Sequence, residues 1–220
     1  MIKNLTLGGN MIKAVLFDLD GTLLDTNELI YNSFDKTFKD KLGIELKREE
    51  ILDFFGRPLG EPFKKHAKEE AVDELVAYYR KHNEDTHDTM CFAFNGVKEL
   101  LEGLKEKGIK TGIVTSKRAE LAIRGMKIAG IHHYMDVIIT PESTELHKPN
   151  PEPALKACTD LGVKPSEAIM VGDSIYDIYC GKSAGCKTCG VNYTFIGLDT
   201  LKSSNPDYLI DKPEDILNLI

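Results

Sequence analysis

The sequence predicts an α/β fold: a Rossmann-like three-layer core on a parallel sheet, with a helical domain inserted after the first strand. Three observations carry that expectation. Through residues 96–220, short apolar runs recur, and each is followed by apolar residues at helical spacing. Such strand–helix alternation builds parallel sheets with helices on both faces. A run of the same kind, Ala14 to Phe17, stands far ahead of the others, near the N-terminus. Between them, residues 27–95 read as helical throughout. The expected organisation is a core of residues 11–26 and 96–220, a helical domain of residues 27–95, and a disordered leader of residues 1–10.

The leader, MIKNLTLGGN, lacks the apolar core of a secretory signal and ends just before a second methionine, Met11. AVLF, 14–17, is wholly apolar, as a strand buried on both faces should be. In the insertion, NELIYNSFDKTFKD (27–40), KREEILDFF (47–55) and EEAVDELVAYYRKHNED (69–85) are the helical stretches. GRPLGEP (56–62) interrupts them, and no strong strand is expected in the segment. Val97, Leu100, Leu101 and Leu104 then mark a helix over 97–107, with Gly108 where a C-cap belongs. IKTGIVT follows as a strand ending at Thr115, and a helix is expected over 117–129, closed by Gly130. DVIIT (136–140) and AIMVGD (168–173) are strands, separated by a helix over 151–162 with proline near its start and glycine at its end. Residues 175–184 are helical, TCGVN (188–192) and YLI (208–210) read as strands, and PEDILNLI (213–220) as a closing helix.

In such sheets ligands bind beyond the carboxyl ends of the strands. Asp18, Thr115 and Asp173 each end an apolar strand, and Lys148 lies in the loop after another. Residues far apart in sequence are thereby expected on one rim.

Composition narrows the function classes. A net charge of −7 argues against non-specific nucleic-acid binding, which needs a basic face. No apolar run is long enough to span a membrane. Five cysteines without framework spacing suit a reducing, cytoplasmic setting. Cys186 and Cys189 form a C-x-x-C, but no second pair or nearby histidine completes a zinc site, so they are expected to be small buried residues. A monomer or weak homodimer is expected.

Asp18 and Asp20 sit at i and i+2 where a buried strand ends, so both carboxylates can face one small volume. Gly21 permits a tight turn that leaves backbone N–H groups open to an anion. A divalent cation would offset the carboxylate repulsion, an oxygen donor set suits Mg²⁺, and Asp173 offers a third carboxylate. A metal-bound carboxylate can attack phosphorus, and a neighbouring carboxylic acid can protonate the leaving oxygen. Lys148 offers a fixed positive charge. Thr115 and Ser116 offer hydroxyl and N–H donors at an expected helix N-terminus.

These residues resemble the signature of the haloacid dehalogenase superfamily of phosphohydrolases. DLDGT (18–22), IVTS (113–116), HKPNPEP (147–153) and VGDSIYD (171–177) occur in the family's order, and the resemblance spans residues 11–220. It implies Asp18 as nucleophile and metal ligand. Asp20 would be the general acid/base and would give its backbone carbonyl to Mg²⁺. Thr115 and Ser116 would hold the phosphoryl group, and Lys148 would neutralise nucleophile and transferring group. Asp173 would ligate Mg²⁺, and Asp177 would support it through water or orient Lys148. An aspartate at position 20 favours phosphate chemistry over carbon–halogen cleavage. The insertion resembles the family's mobile helical cap, and FFGRPLGEPF (54–63) its substrate loop, which makes Arg57 the natural specificity residue. Asp25 is expected to cap the first inserted helix or fix the hinge, and His147 to be solvated or to support the site from behind.

The resemblance thus implies a Mg²⁺-dependent phosphatase, a phosphoric monoester hydrolase. It would hydrolyse a small phosphorylated metabolite of phosphoglycolate or pyrophosphate type through an aspartyl phosphate. One alternative is a β-phosphoglucomutase-like sugar-phosphate mutase, disfavoured because residues 26–35 lack the histidine such mutases carry after the hinge. The other is a non-catalytic phosphate-binding regulatory module.

Overall fold

The computed structural model describes residues 11–193 and 198–220, so the expected leader lies outside the described residues. Six strands form one parallel sheet: β1 (Ala14–Phe17), β4 (Lys110–Val114), β5 (Val137–Ile139), β6 (Ala168–Gly172), β7 (Lys187–Val191) and β8 (Tyr208–Ile210), in the order β5-β4-β1-β6-β7-β8. The first strand is therefore central. Phe17 is in register with Ile113 of β4 and Val171 of β6, so all three strands end side by side.

Strand alternation explains why β1 and β6 are apolar at every position. Val15 and Phe17 of β1, with Ile169 and Val171 of β6, face a layer that includes helices α5 (Val97–Glu106) and α6 (Ala119–Ile128). Ala14 and Leu16, with Ala168 and Met170, face helices α7 (Glu152–Leu161) and α8 (Ile175–Ala184). Both faces are covered, and the polar side chains buried in the strands, Thr111 and Thr188, are hydrogen-bonded. Cys189 packs on the first face and Cys186 on the second. The C-x-x-C is split across the sheet, and all five cysteines are buried and free.

Some boundaries differ from expectation. Helix α6 starts at Ala119, not 117, because the Lys117 N–H donates to Thr115 Oγ1 (3.1 Å) and holds the preceding residues in a turn. The closing segment is a 3-10 helix over Pro213–Asn218 rather than an α-helix. Ile216 is buried there, and Leu217, Leu219 and Ile220 all lean on the core, which favours the tighter winding. A short helix, α9 (Leu198–Ser203), forms where the sequence pattern predicts none.

The insertion leaves and re-enters the core through paired strands, β2 (Leu24–Asp25) and β3 (Phe92–Ala93), which run antiparallel. Sequence reading expects no strand at β3; its pairing with the hinge, not its own propensity, makes one. Between them lie α1 (Asn27–Thr37), continued by a π-helical turn over Phe38–Leu42, then α2 (Arg48–Leu52), α3 (Glu61–Lys64) and α4 (Glu69–Thr86). Helix α3 falls at the end of the GRPLGEP stretch. These helices pack on their own aromatic cluster, including Phe34, Phe38, Phe54, Phe63 and Tyr79. Phe34 and Tyr79 rings lie 4.6 Å apart, and Phe38 and Phe63 rings 5.5 Å apart.

Candidate active site

At the carboxyl ends of β1, β4 and β6 a cavity of about 420 Å³ opens between the sheet and the insertion. Asp18, Asp20, Gly21, Thr115, Ser116, Lys148 and Asp173 all line it from the core side, and Arg57 lines it from the insertion. Asp177 lies one layer deeper. Sheet register brings these residues together: Asp18 N–H donates to Val171 O of β6 (2.8 Å), and Thr115 N–H to Ile139 O of the neighbouring β5 (3.0 Å).

Lys148 is the centre of the buried charge. Its Nζ donates to Asp18 Oδ1 and Asp177 Oδ1, both at 2.6 Å, and to the Val114 carbonyl at 3.1 Å. The side chains of Lys148, Asp18 and Asp177 are 6%, 10% and 1% exposed, so water contributes little to this charge balance. Of the two roles expected of Asp177, this geometry matches the orienting of Lys148. Asp177 is itself held by Ser174, whose Oγ (2.6 Å) and N–H (3.1 Å) both donate to Asp177 Oδ2. Ser174 caps α8 in a capping box with Asp177, which the S-x-x-D spacing carries in the sequence and which was not read there as part of the site.

One lysine shared by two buried carboxylates leaves a negative charge over. Burial therefore pushes the Asp18 carboxyl up to about 7, Lys148 opposes it, and repulsion from Asp177 and Asp20 adds to it. Burial works against the Lys148 ammonium, but Asp177 and Asp18 outweigh it and hold the proton more tightly than in free lysine.

Asp20 faces a different way. Its Oδ1 accepts from Thr26 Oγ1 and from Lys117 Nζ, each at 2.8 Å. Lys117 was not singled out in the sequence, where a lysine after Thr115-Ser116 looks like any solvated lysine. Gly21 also departs from expectation. Its N–H donates to Leu24 O (2.8 Å), so it is not open to an anion. The turn draws in that donor, and what Gly21 provides instead is space. At φ +80°, a Cβ there would lie 2.3 Å from Asp173 Oδ2. Thr115 is buried beside the cavity and Ser116 is exposed in it, yet neither is at a helix N-terminus, since α6 begins at Ala119. Arg57 is exposed and lines the cavity, with Nε donating to Asp53 O (2.6 Å). Asp25 Oδ1 accepts from the Asn27 N–H (3.3 Å) and side-chain amide (2.9 Å), a hinge role. His147 is exposed at the rim.

The donor set fits a metal. Asp18, Asp173 and Asp177 each offer a carboxylate oxygen, all within 4.8 Å of one another. The Asp20 carboxylate is not among them, turned as it is to Lys117 and Thr26. An all-oxygen, net-negative, buried cluster suits a hard divalent cation.

Carboxylates and a buried lysine at the strand ends of a doubly covered parallel sheet, beneath a helical insertion, make a candidate hydrolase site on an α/β fold. A family model described as haloacid dehalogenase-like hydrolase matches residues 15–191, and the chain belongs to that family. It is 56% identical over 96% of its length to a Clostridium perfringens protein provisionally named pyrophosphatase PpaX, covering 98% of that protein. It is 44% identical over 95% of its length to the pyrophosphatase PpaX of Halalkalibacterium halodurans, covering 97% of it. Among solved structures, a haloacid dehalogenase-like family hydrolase from Streptococcus pneumoniae superposes with a TM-score of 0.85 at 29% identity, covering 94% of this chain and 98% of that one. Among the described residues no helix is long and apolar enough to cross a membrane.

Proposed function

We propose that this protein is a Mg²⁺-dependent phosphohydrolase that cleaves inorganic pyrophosphate through an aspartyl phosphate on Asp18. The observation that carries the reading is Lys148, buried and bonded at 2.6 Å to both Asp18 and Asp177 at the floor of the cavity. That arrangement holds a carboxylate and a cation where a transferring phosphoryl group would sit. The relatives named pyrophosphatase favour the anhydride over the monoester class expected from the motifs, with phosphoglycolate as the comparison substrate.

In this reading the Asp18 carboxylate attacks phosphorus while the bridging P–O bond breaks, and the departing phosphate oxygen takes a proton from Asp20. Water then gives a proton to Asp20 and attacks the aspartyl phosphate. The bond to Asp18 breaks, which returns the carboxylate and releases the second phosphate. Thr115 and Ser116 donate to the equatorial oxygens, and Lys148 balances charge on nucleophile and phosphoryl group. The Asp18 and Asp173 carboxylates and the Asp20 carbonyl would hold Mg²⁺, whose positive charge would keep Asp18 ionised at neutral pH. The insertion serves as a cap, and Arg57 and Arg80, which both line the cavity, take the second phosphoryl group.

The test is phosphate release from pyrophosphate, 2-phosphoglycolate and a panel of phosphorylated metabolites, each with Mg²⁺ and with EDTA. The expected result is metal-dependent release with the highest kcat/KM on pyrophosphate. A maximum on phosphoglycolate would move the enzyme to the monoester class. Release from no substrate by the folded protein would overturn the reaction itself.

A further inference from the structure

Lys117 is a second, partly buried cation of the site. Its side chain is 9% exposed, and its Nζ lies 2.8 Å from Asp20 Oδ1. Thr26 Oγ1 donates to the same oxygen at 2.8 Å. The two donors come from different parts of the chain: Lys117 from the loop between β4 and α6, Thr26 from the segment that leads into α1. The lysine's backbone is fixed in turn, because its N–H donates to Thr115 Oγ1 (3.1 Å). With both donors on Oδ1, the Asp20 carboxylate is held in one plane and Oδ2 is left for proton transfer.

Charge explains why a lysine is needed there. Asp18, Asp20 and Asp173 all line one cavity, and Lys148 is already bonded to Asp18 and Asp177. Without a second ammonium, Asp20 would be an uncompensated carboxylate among its like, free to rotate toward solvent.

We infer that Lys117 is a positioning residue: with Thr26 it holds the Asp20 carboxylate in the rotamer from which Asp20 exchanges protons with the leaving group and with water. The inference rests on Asp20 being the proton donor, as proposed above. The competing role, direct binding of the phosphoryl group, is opposed by the ammonium's bond to Asp20, and it makes a different kinetic prediction.

A residue that positions a general acid matters in proportion to how much the leaving group needs a proton. Lys117→Met and Lys117→Gln, with Asp20→Asn as reference, are to be assayed with Mg²⁺ on 2,4-dinitrophenyl, 4-nitrophenyl, phenyl and ethyl phosphate. A positioned acid contributes about 10²–10⁴-fold, so both Lys117 variants should lose about 10²-fold in kcat/KM, which reports only the steps up to departure of the leaving group, on the phenyl and ethyl esters and at most about 3-fold on the dinitrophenyl ester. Inhibition by inorganic phosphate should be unchanged. Lys117→Arg, which keeps a cation in reach of Asp20, should recover most of the loss. A uniform loss across the series with weaker phosphate inhibition would make Lys117 a phosphate ligand and overturn the inference, as would no loss at all. If Asp20→Asn shows the leaving-group dependence and neither Lys117 variant does, the inference fails alone. If Asp20→Asn lacks it, the assignment of Asp20 as the acid fails first and takes the inference with it.

Discussion

Lys148→Met keeps the buried stem and removes the ammonium that Asp18 and Asp177 share at 2.6 Å. The two carboxylates are 10% and 1% exposed, so water cannot take the ammonium's place. Breaking a buried pair from one side costs about 3–5 kcal/mol, because the charge left behind is uncompensated. Asp177 keeps both bonds from Ser174. The larger share therefore falls on Asp18, which burial already pushes up to about 7 with the lysine present. The sign of the pH dependence follows. A carboxyl raised in the folded state binds more protons there than in the unfolded chain, so its contribution is complete below about pH 4 and is lost as pH rises through about 7. The variant should steepen that loss. Urea unfolding in EDTA should show the full 3–5 kcal/mol deficit at about pH 8 and a smaller one at about pH 5.5, where Asp18 escapes by protonation. For a chain of this size the deficit corresponds to a melting temperature lower by roughly 6–20 °C. A variant within about 1 kcal/mol of the parent at about pH 8 would mean the pair is solvated like a surface one, and a deficit that grows on acidification would mean the charge argument has the wrong sign.

Asp18→Asn removes the surplus charge, so in EDTA at about pH 8 it should unfold later than the parent, by up to roughly 4 kcal/mol from a shift of about three pH units. The same variant should lose phosphate release by about 10³-fold or more, the scale seen when a covalent nucleophile is removed; turnover near the parent's would rule out the aspartyl phosphate. Gly21→Ala places a Cβ 2.3 Å from Asp173 Oδ2 at φ +80°, so it should displace Asp173 and abolish the thermal stabilisation that Mg²⁺ gives the parent. Unchanged stabilisation by Mg²⁺ would place the metal elsewhere. Arg57→Ala should raise KM for pyrophosphate more than for 4-nitrophenyl phosphate, which has no second anionic group to grip; equal effects would make Arg57 structural.

The central strands of the core were legible because they are buried on both faces. A run such as AVLF or AIMVG has no polar position to confuse its boundaries, and glycine follows α7 and α8 where the chain turns into the left-handed region, at Gly162 (φ +67°) and Gly185 (φ +85°). What escaped was structure that exists only through a partner. Strand β3 is two residues long and forms because β2 lies opposite it. The closing 3-10 helix takes its winding from the core it leans on, and the start of α6 is set by a hydroxyl of Thr115 that no helix propensity records.

The site divides along the same line. Asp18, Thr115, Lys148 and Asp173 could be gathered on one rim from sequence because strand ends are a matter of topology. Which carboxylate meets which lysine depends on side-chain reach across layers, and there the sequence is silent. Lys117 and Ser174 pass for ordinary surface and capping residues until Asp20 and Asp177 are seen beside them. Once they are, the pairing can be read: Lys148 is bonded to Asp18 and Asp177 and Lys117 to Asp20, so two lysines serve three carboxylates, while Arg57 and Arg80 line the same cavity from the insertion. On the proposed mechanism, the lysine that Asp18 shares with Asp177 leaves the pair one charge short, and protonating Asp18 would make that good only by disabling the group proposed to attack phosphorus. A divalent cation at Asp18 and Asp173 would make it good and leave Asp18 ionised, which is why the proposed nucleophile and a proposed metal ligand can be one residue.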